Sequence, residues 1–207
     1  MEKIGPYTYE QYCRRVKEFH GALAPGILVG GFMVDLACRN MPSGTLFDVI
    51  SETVECLPDA VQLLTPCSVG NQWLKVIDVG RFAVTLYDKD TGEGVRVHLD
   101  TDKLHRWPAI SEWFLKTRPK EQQDRARLLV QIREAGASIA TIAQVTVSPD
   151  FIMGQTAKTV VVCPICNEAY RSGDGAICPA CGGGRLPYVA QAERTSGNLV
   201  PARVQES

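Results

Sequence analysis

The chain has 207 residues, 45% of them hydrophobic and 22% charged, enough for one full globular domain with a small appendage. Its 22 basic and 23 acidic side chains leave a net charge of -1, so no global positive field gathers nucleic acid or an anionic membrane. The start, Met1-Glu2-Lys3-Ile4-Gly5-Pro6, has no apolar run of the signal-peptide kind, and no window approaches the ~18 uninterrupted apolar residues of a membrane span; a soluble, cytoplasmic protein is expected.

Thr8 and Gln11 fit a capping box, in which the N-cap and N3 side chains satisfy each other's backbone donors. Tyr9, Tyr12, Cys13, Val16, Phe19 and His20 follow at helical spacing as one buried stripe, and Gly21 is the stop. His20 is therefore expected on the inward face of the last turn. Pro25-Gly26 opens a second helix over about Ile27 to Arg39, where Gly30-Gly31 allow another backbone to approach. Leu46 to Val54 reads as a strand, and Pro58 begins a helix reaching Leu64, since N1 needs no donor.

Trp73–Val79, Arg81–Tyr87 and Val95–Leu99 alternate or are β-branched, and the turn-rich 88–94 joins the last two, predicting an antiparallel meander. Helical patterns return at Ile110–Lys116 and Glu121–Ala135, and a short strand is expected around Ile142–Val147. The mixed charges from Lys120 to Glu134 read as a solvated helix face. The whole is an α+β fold, an antiparallel sheet flanked by helices over residues 1–150. Ser148 to Lys158 reads as a linker to a small C-terminal module, 159–207, which begins with a short strand at Thr159–Val162 and ends in a polar tail.

Eight cysteines need sorting. With no export signal a disulfide framework is not expected. Cys163, Cys166, Cys178 and Cys181 form two C-x-x-C pairs eleven residues apart, each presenting two thiolates from one tight turn. Two such turns facing each other make a tetrahedral four-sulfur zinc site. An iron–thiolate centre is the main competitor. Pro164 and Pro179 sit alike in the two turns, and Gly182-Gly183-Gly184 relieve crowding after the second. A site filled by four protein ligands has no place for a water nucleophile, so this zinc is scaffold. From Cys163 onward Arg171, Arg185, Arg194 and Arg203 are matched by Glu168, Asp174, Glu193 and Glu206. That balance favours a protein partner for the module over nucleic acid.

The segments Phe19-His20-Gly21-Ala22-Leu23-Ala24-Pro25-Gly26, Glu55-Cys56-Leu57-Pro58-Asp59-Ala60-Val61-Gln62 and Cys67-Ser68-Val69-Gly70-Asn71, with the later runs from Asp78 and Gly94, resemble the E-subunit family of formylmethanofuran dehydrogenase. The likeness spans about residues 8 to 100 by motif, and a treble-clef-type finger in part of that family covers the tail. It implies an α+β core, often homodimeric, whose pocket is formed by the histidine-glycine segment and the two cysteine segments: His20, Cys56, Asp59, Gln62, Cys67 and Asn71 here. It also implies an association with the molybdenum or tungsten enzyme that fixes carbon dioxide onto a C1 carrier in methanogenesis, although many relatives occur outside that setting. The family pattern H-G-H-x-C-P-G is broken here, with Ala22 for the second histidine and Ala24 for the cysteine; Pro66 replaces the glycine before the later cysteine.

Cys56 stands just ahead of a helix N-terminus, where the helix dipole is expected to lower its thiol pKa, and Asp59 falls in the first turn. His20, Cys56 and Cys67 then offer three ligands to a second metal with a fourth position open; the competing readings are a metal-free thiol site, or a core histidine with buried cysteines. Cys13 and Cys38 are assigned to packing, while His98 and His105 are left without a role. Three functions follow: an accessory or ligand-binding protein of C1 or molybdenum/tungsten metabolism, a metal- or thiol-dependent redox or hydrolytic enzyme, and a zinc-finger nucleic-acid regulator. The losses at Ala22 and Ala24 favour the first.

Overall fold

The computed structural model describes residues 3–153 and 159–184, with the short strands Glu193–Thr195 and Asn198–Val200. The chain divides into two compact units, Met1–Gly154 and Gln155–Ser207. The first opens with a two-stranded ribbon, β1 (Lys3–Ile4) and β2 (Tyr7–Thr8), leading into α1 (Tyr9–His20). The capping box forms: the Thr8 hydroxyl accepts from Gln11 N at 3.2 Å, and Thr8 N donates to Gln11 Oε1 at 2.8 Å. Gly21, at φ 81, ends the helix by donating to Lys17 O. The buried stripe is shorter than expected. Tyr9, Tyr12 and Val16 are buried, but Phe19 is 52% exposed and His20 is exposed, because the last turn runs past the core.

Helix α2 (Pro25–Asn40) is apolar almost all round and buried through its middle, as a central helix must be. Its glycines admit neighbouring side chains, where the sequence suggests an approaching backbone. A Cβ on Gly26 would lie 2.8 Å from Cys56 Sγ, one on Gly30 2.9 Å from Ala60 Cβ, and one on Gly31 2.6 Å from the Tyr12 hydroxyl. Gly26 and Gly30, one turn apart, thus make a smooth strip for α3 (Leu57–Leu64), while Gly31 seats α1.

The sheet has five strands in the order β4-β3-β5-β6-β7: β3 Phe47–Ser51, β4 Leu74–Val76, β5 Ala83–Asp88, β6 Glu93–Leu99 and β7 Ala140–Thr146. All neighbours are antiparallel except β3 and β4, which pair parallel at the edge. The expected meander is therefore corrected at one strand: α3 is a crossover between β3 and β4, and a crossover returns the chain parallel. Helix α4 (Pro108–Phe114), α5 (Arg125–Ala135) and α6 (Pro149–Met153) complete the unit.

Alternation sorts the two faces of the sheet. Val49, Leu74, Val84, Leu86, Val95, Val97 and Leu99 point into the core beneath α2. The opposite face carries the row Lys75, Ile50, Thr85, Arg96, Ala143, aligned by cross-strand register. There Arg96 grips Glu52 with both ends of its fork, Nε to Oε1 at 2.6 Å and Nη2 to Oε2 at 2.8 Å. The Arg96 hydrogen bonds, opposed in part by burial, hold the Glu52 carboxyl below its ordinary value of 4.5. A depressed folded pKa stabilises the fold above the unfolded value and is lost as pH falls through the folded one. Urea unfolding should show wild type losing about 1 kcal/mol more than Glu52→Gln between pH 6 and pH 3; parallel pH profiles for the two proteins would remove this pair from the acid response.

Candidate functional site

In the second unit β8 (Val160–Val162) and β9 (Ala169–Arg171) pair antiparallel, and the turn between them holds Cys163 and Cys166. That turn closes by Asn167 N donating to Cys163 O at 2.9 Å and Cys163 N donating to Glu168 O at 2.8 Å. The second turn, Cys178 to Cys181, closes by Gly182 N donating to Cys178 O at 2.9 Å. Gly184 then passes so near Pro179 O that a Cβ would lie 2.6 Å from it, so the expected relief of crowding falls on this residue.

The four sulfurs lie within 4.8 Å of one another, and Cys166 Sγ and Cys178 Sγ are 3.7 Å apart. A tetrahedron with Zn–S bonds of ~2.3 Å has sulfur–sulfur edges of ~3.8 Å, so the cluster fits zinc in size as well as donor type. Backbone donors reinforce it: Cys178 N reaches Cys163 Sγ at 3.5 Å, and Cys181 N reaches Cys178 Sγ at 3.4 Å. The backbone N–H groups of Cys178 and Cys166 push the Cys163 thiol down to about 6. Hydrogen bonding to the Cys178 sulfur, and the other sulfurs close by, push Cys181 up to about 12. A divalent cation at the centre removes that conflict by taking all four as thiolates. Among the described residues no other group of three or more His, Cys, Asp or Glu comes so close.

The core candidates separate into two places. His20, at the end of α1, meets Asp59 in the first turn of α3, Nδ1 to Oδ2 at 2.8 Å, both partly exposed. Cys56, the N-cap of α3, sits against Gly26 and near Trp113. Its backbone has φ 53 and ψ -39, and Leu57 N donates to Glu55 O across it. This is a γ-turn of the rarer, positive-φ kind, a strained conformation for a residue with a Cβ. The expected lowering of its thiol pKa is overturned. Burial, then the Asp59 and Glu55 carboxylates, push it up, outweighing the partial charge of an eight-residue helix.

Cys67 lies elsewhere. It is buried, its Sγ donates to Phe47 O at 3.6 Å, and its charged neighbours are Asp48, Lys89 and Lys75. Burial raises its thiol pKa as well. Asn71 is occupied by its own loop, accepting from Ser68 N and Trp73 N and donating to Pro66 O. Gln62 is half-buried on α3, one turn beyond Asp59. The structure thus brings His20, Asp59 and Cys56 to the head of α3, and does not gather His20, Cys56 and Cys67 as one ligand set. Sequence reasoning misses Trp113 beside Gly26. Nothing in local spacing points to it, because α4 reaches this place only through the fold.

Residues 19–147 match the family described as FmdE, molybdenum formylmethanofuran dehydrogenase operon, and residues 155–189 match the FmdE treble clef zinc finger. The chain is 51% identical to an FmdE-like protein of tungsten formylmethanofuran dehydrogenase from Syntrophus aciditrophicus, whose crystal structure aligns with a TM-score of 0.82 over 91% of this chain and 98% of that one. It is also 28% identical over 198 residues to a probable S-adenosyl-L-methionine-binding protein of Archaeoglobus fulgidus, a match taking 86% of this chain and 54% of that protein. The chain spans about half the length of that curated relative.

Proposed function

The chain belongs to the FmdE family and carries that family's treble-clef zinc finger, and from that premise we propose that it is an accessory, ligand-holding protein of C1 or molybdenum/tungsten metabolism. The zinc finger docks a protein partner, and the head of α3 holds a small molecule. The observation that carries this is the chemistry of His20, Asp59 and Cys56: an imidazole–carboxylate pair beside a thiol kept protonated by burial and by two carboxylates. Such a group donates and accepts hydrogen bonds but is a poor nucleophile, since the thiolate is the reactive form. Ala22 and Ala24 add no reactive atom. On the finger, Val160 and Val162 are 69% and 60% exposed and Ile165 45%, an apolar surface suited to a protein contact.

A homodimer is part of the proposal, as is a cytoplasmic location, where a thiolate zinc site stays reduced. No helix among the described residues is long and apolar enough to cross a membrane. S-adenosyl-L-methionine binding is not extended to this chain, because nearly half of the relative so named lies outside the match. The second reading, a thiol- or metal-dependent enzyme, draws on the strained turn at Cys56.

Elemental analysis and thiol titration separate the two. One zinc per chain is expected, unchanged in the double variant Cys56→Ser, Cys67→Ser, and Cys56 should react with a thiol probe at pH 7 no faster than in the denatured chain. A second metal lost in that variant, or a fast-reacting Cys56, would overturn the binding reading in favour of the enzyme.

A further inference from the structure

The face of the sheet away from α2 has a build of its own. Its rows, read across the strands, are Trp73, Asp48, Tyr87, Gly94; then Lys75, Ile50, Thr85, Arg96; then Ile77, Glu52, Ala83, His98. Helix α6 reaches one corner of this face, through Phe151 against Tyr87. Two carboxylates lie low on it, and each is straddled by two cations. Asp48 pairs with Lys89 at 2.9 Å and Lys75 at 4.0 Å. Glu52 pairs with Arg96 at 2.6 Å and Arg81 at 4.0 Å. The side chains of the acids are 10% and 15% exposed, whereas those of Lys75, Arg96, Lys89 and Arg81 are 22%, 24%, 30% and 72% exposed. Solvent therefore meets the cations more than their partners, on a chain whose net charge is -1.

We propose that this face is a docking surface for an acidic polypeptide segment of a partner protein. The four cations outnumber the two carboxylates, and the buried acids fix three of them in place, so a partner's carboxylates meet charges already ordered. Arg81, held only at 4.0 Å, keeps donors free for a carboxylate. Trp73, Ile77 and Val79, 42%, 41% and 57% exposed, add apolar contacts along the β4 edge. Nucleic acid fits less well. A surplus of two charges is small for phosphate-driven binding, and the Trp73 ring is covered by Lys89 at 4.0 Å, leaving that side closed to a stacking base.

The test uses the full chain and a fluorescein-labelled synthetic peptide rich in glutamate with interspersed leucine, read by anisotropy. Binding is expected, about tenfold weaker at high than at low salt, and about tenfold weaker in Arg81→Glu, whose exposed side chain makes the substitution safe for the fold. Arg118→Glu, in the loop after α4 and equally a charge reversal, should leave it unchanged. Trp73→Ser should weaken it where Arg118→Glu does not. Absence of binding, or equal losses in Arg81→Glu and Arg118→Glu, refutes the surface. Tighter binding of polyuridylate, lost in Arg81→Glu, refutes the choice of partner and makes it a nucleic-acid face.

Discussion

Removing the metal from Cys163, Cys166, Cys178 and Cys181 should unfold the second unit and leave the first one folded. The reason is the absence of any other core. Among the described residues of that unit the buried apolar side chains are Cys163 and Cys178 themselves, while Val160, Val161, Val162 and Ile165 are exposed. Structural zinc on four thiolates contributes on the order of 10 kcal/mol, and a two-stranded ribbon with two tight turns has little of its own to set against the chain entropy. The first unit has a contiguous core running through α1, α2, α3 and the sheet, which does not depend on the metal. Chelation of the full chain, or Cys178→Ser, is expected to release one zinc per chain and abolish amide protection across residues 159–184, with protection in α2 and β5 retained. A finger that stays protected after complete chelation would show that something other than the metal holds it.

Much of this is legible in the sequence, and what is not fails for physical reasons. The Thr8–Gln11 capping box, the Gly21 stop and the four-cysteine spacing are local: each is decided by residues a few positions apart, and each stands in the structure. The parallel pairing of β3 and β4 is not local. Trp73–Val79 alternates as any strand does, and only the packing of α3 on Gly26 and Gly30 decides which neighbour β4 takes. Cys56 fails differently. Its place at the head of a helix is plain from Pro58, but the sign of its pKa shift depends on burial under α2 and on Glu55 and Asp59 together, a balance that spacing alone does not give. Cys67 is close in sequence to the loop expected to reach Cys56, yet its thiol turns toward Phe47 and the β3 side.

The seam between α1 and α2 should be the least tolerant point of the core, and Gly31→Ala measures it. By intrinsic propensity the change favours the helix by up to about 1 kcal/mol. The new Cβ, however, would stand 2.6 Å from both Cζ and the hydroxyl oxygen of Tyr12, well inside contact distance. Tyr12 has nowhere to go: it is fully buried, and its hydroxyl donates to Ile27 O at 3.1 Å. Overpacking against a pinned ring costs about 1–3 kcal/mol or more, so the collision outweighs the propensity gain and the variant is expected to be destabilised by about 2 kcal/mol in urea. In a Tyr12→Leu background the ring is gone, and the same substitution should become neutral or stabilising, a coupling of at least about 1 kcal/mol in the double-mutant cycle. The consequence reaches the site, because α1 carries His20 to Asp59 on α3 and both helices pack on α2 as their common seat. A shift of α1 to relieve Tyr12 must therefore lengthen the 2.8 Å His20–Asp59 contact, and the His20 ring signals in NMR should move in Gly31→Ala and return in the double variant. Additive stabilities, with His20 unmoved, would mean that the helices yield there without strain and that the glycine is only a helix defect.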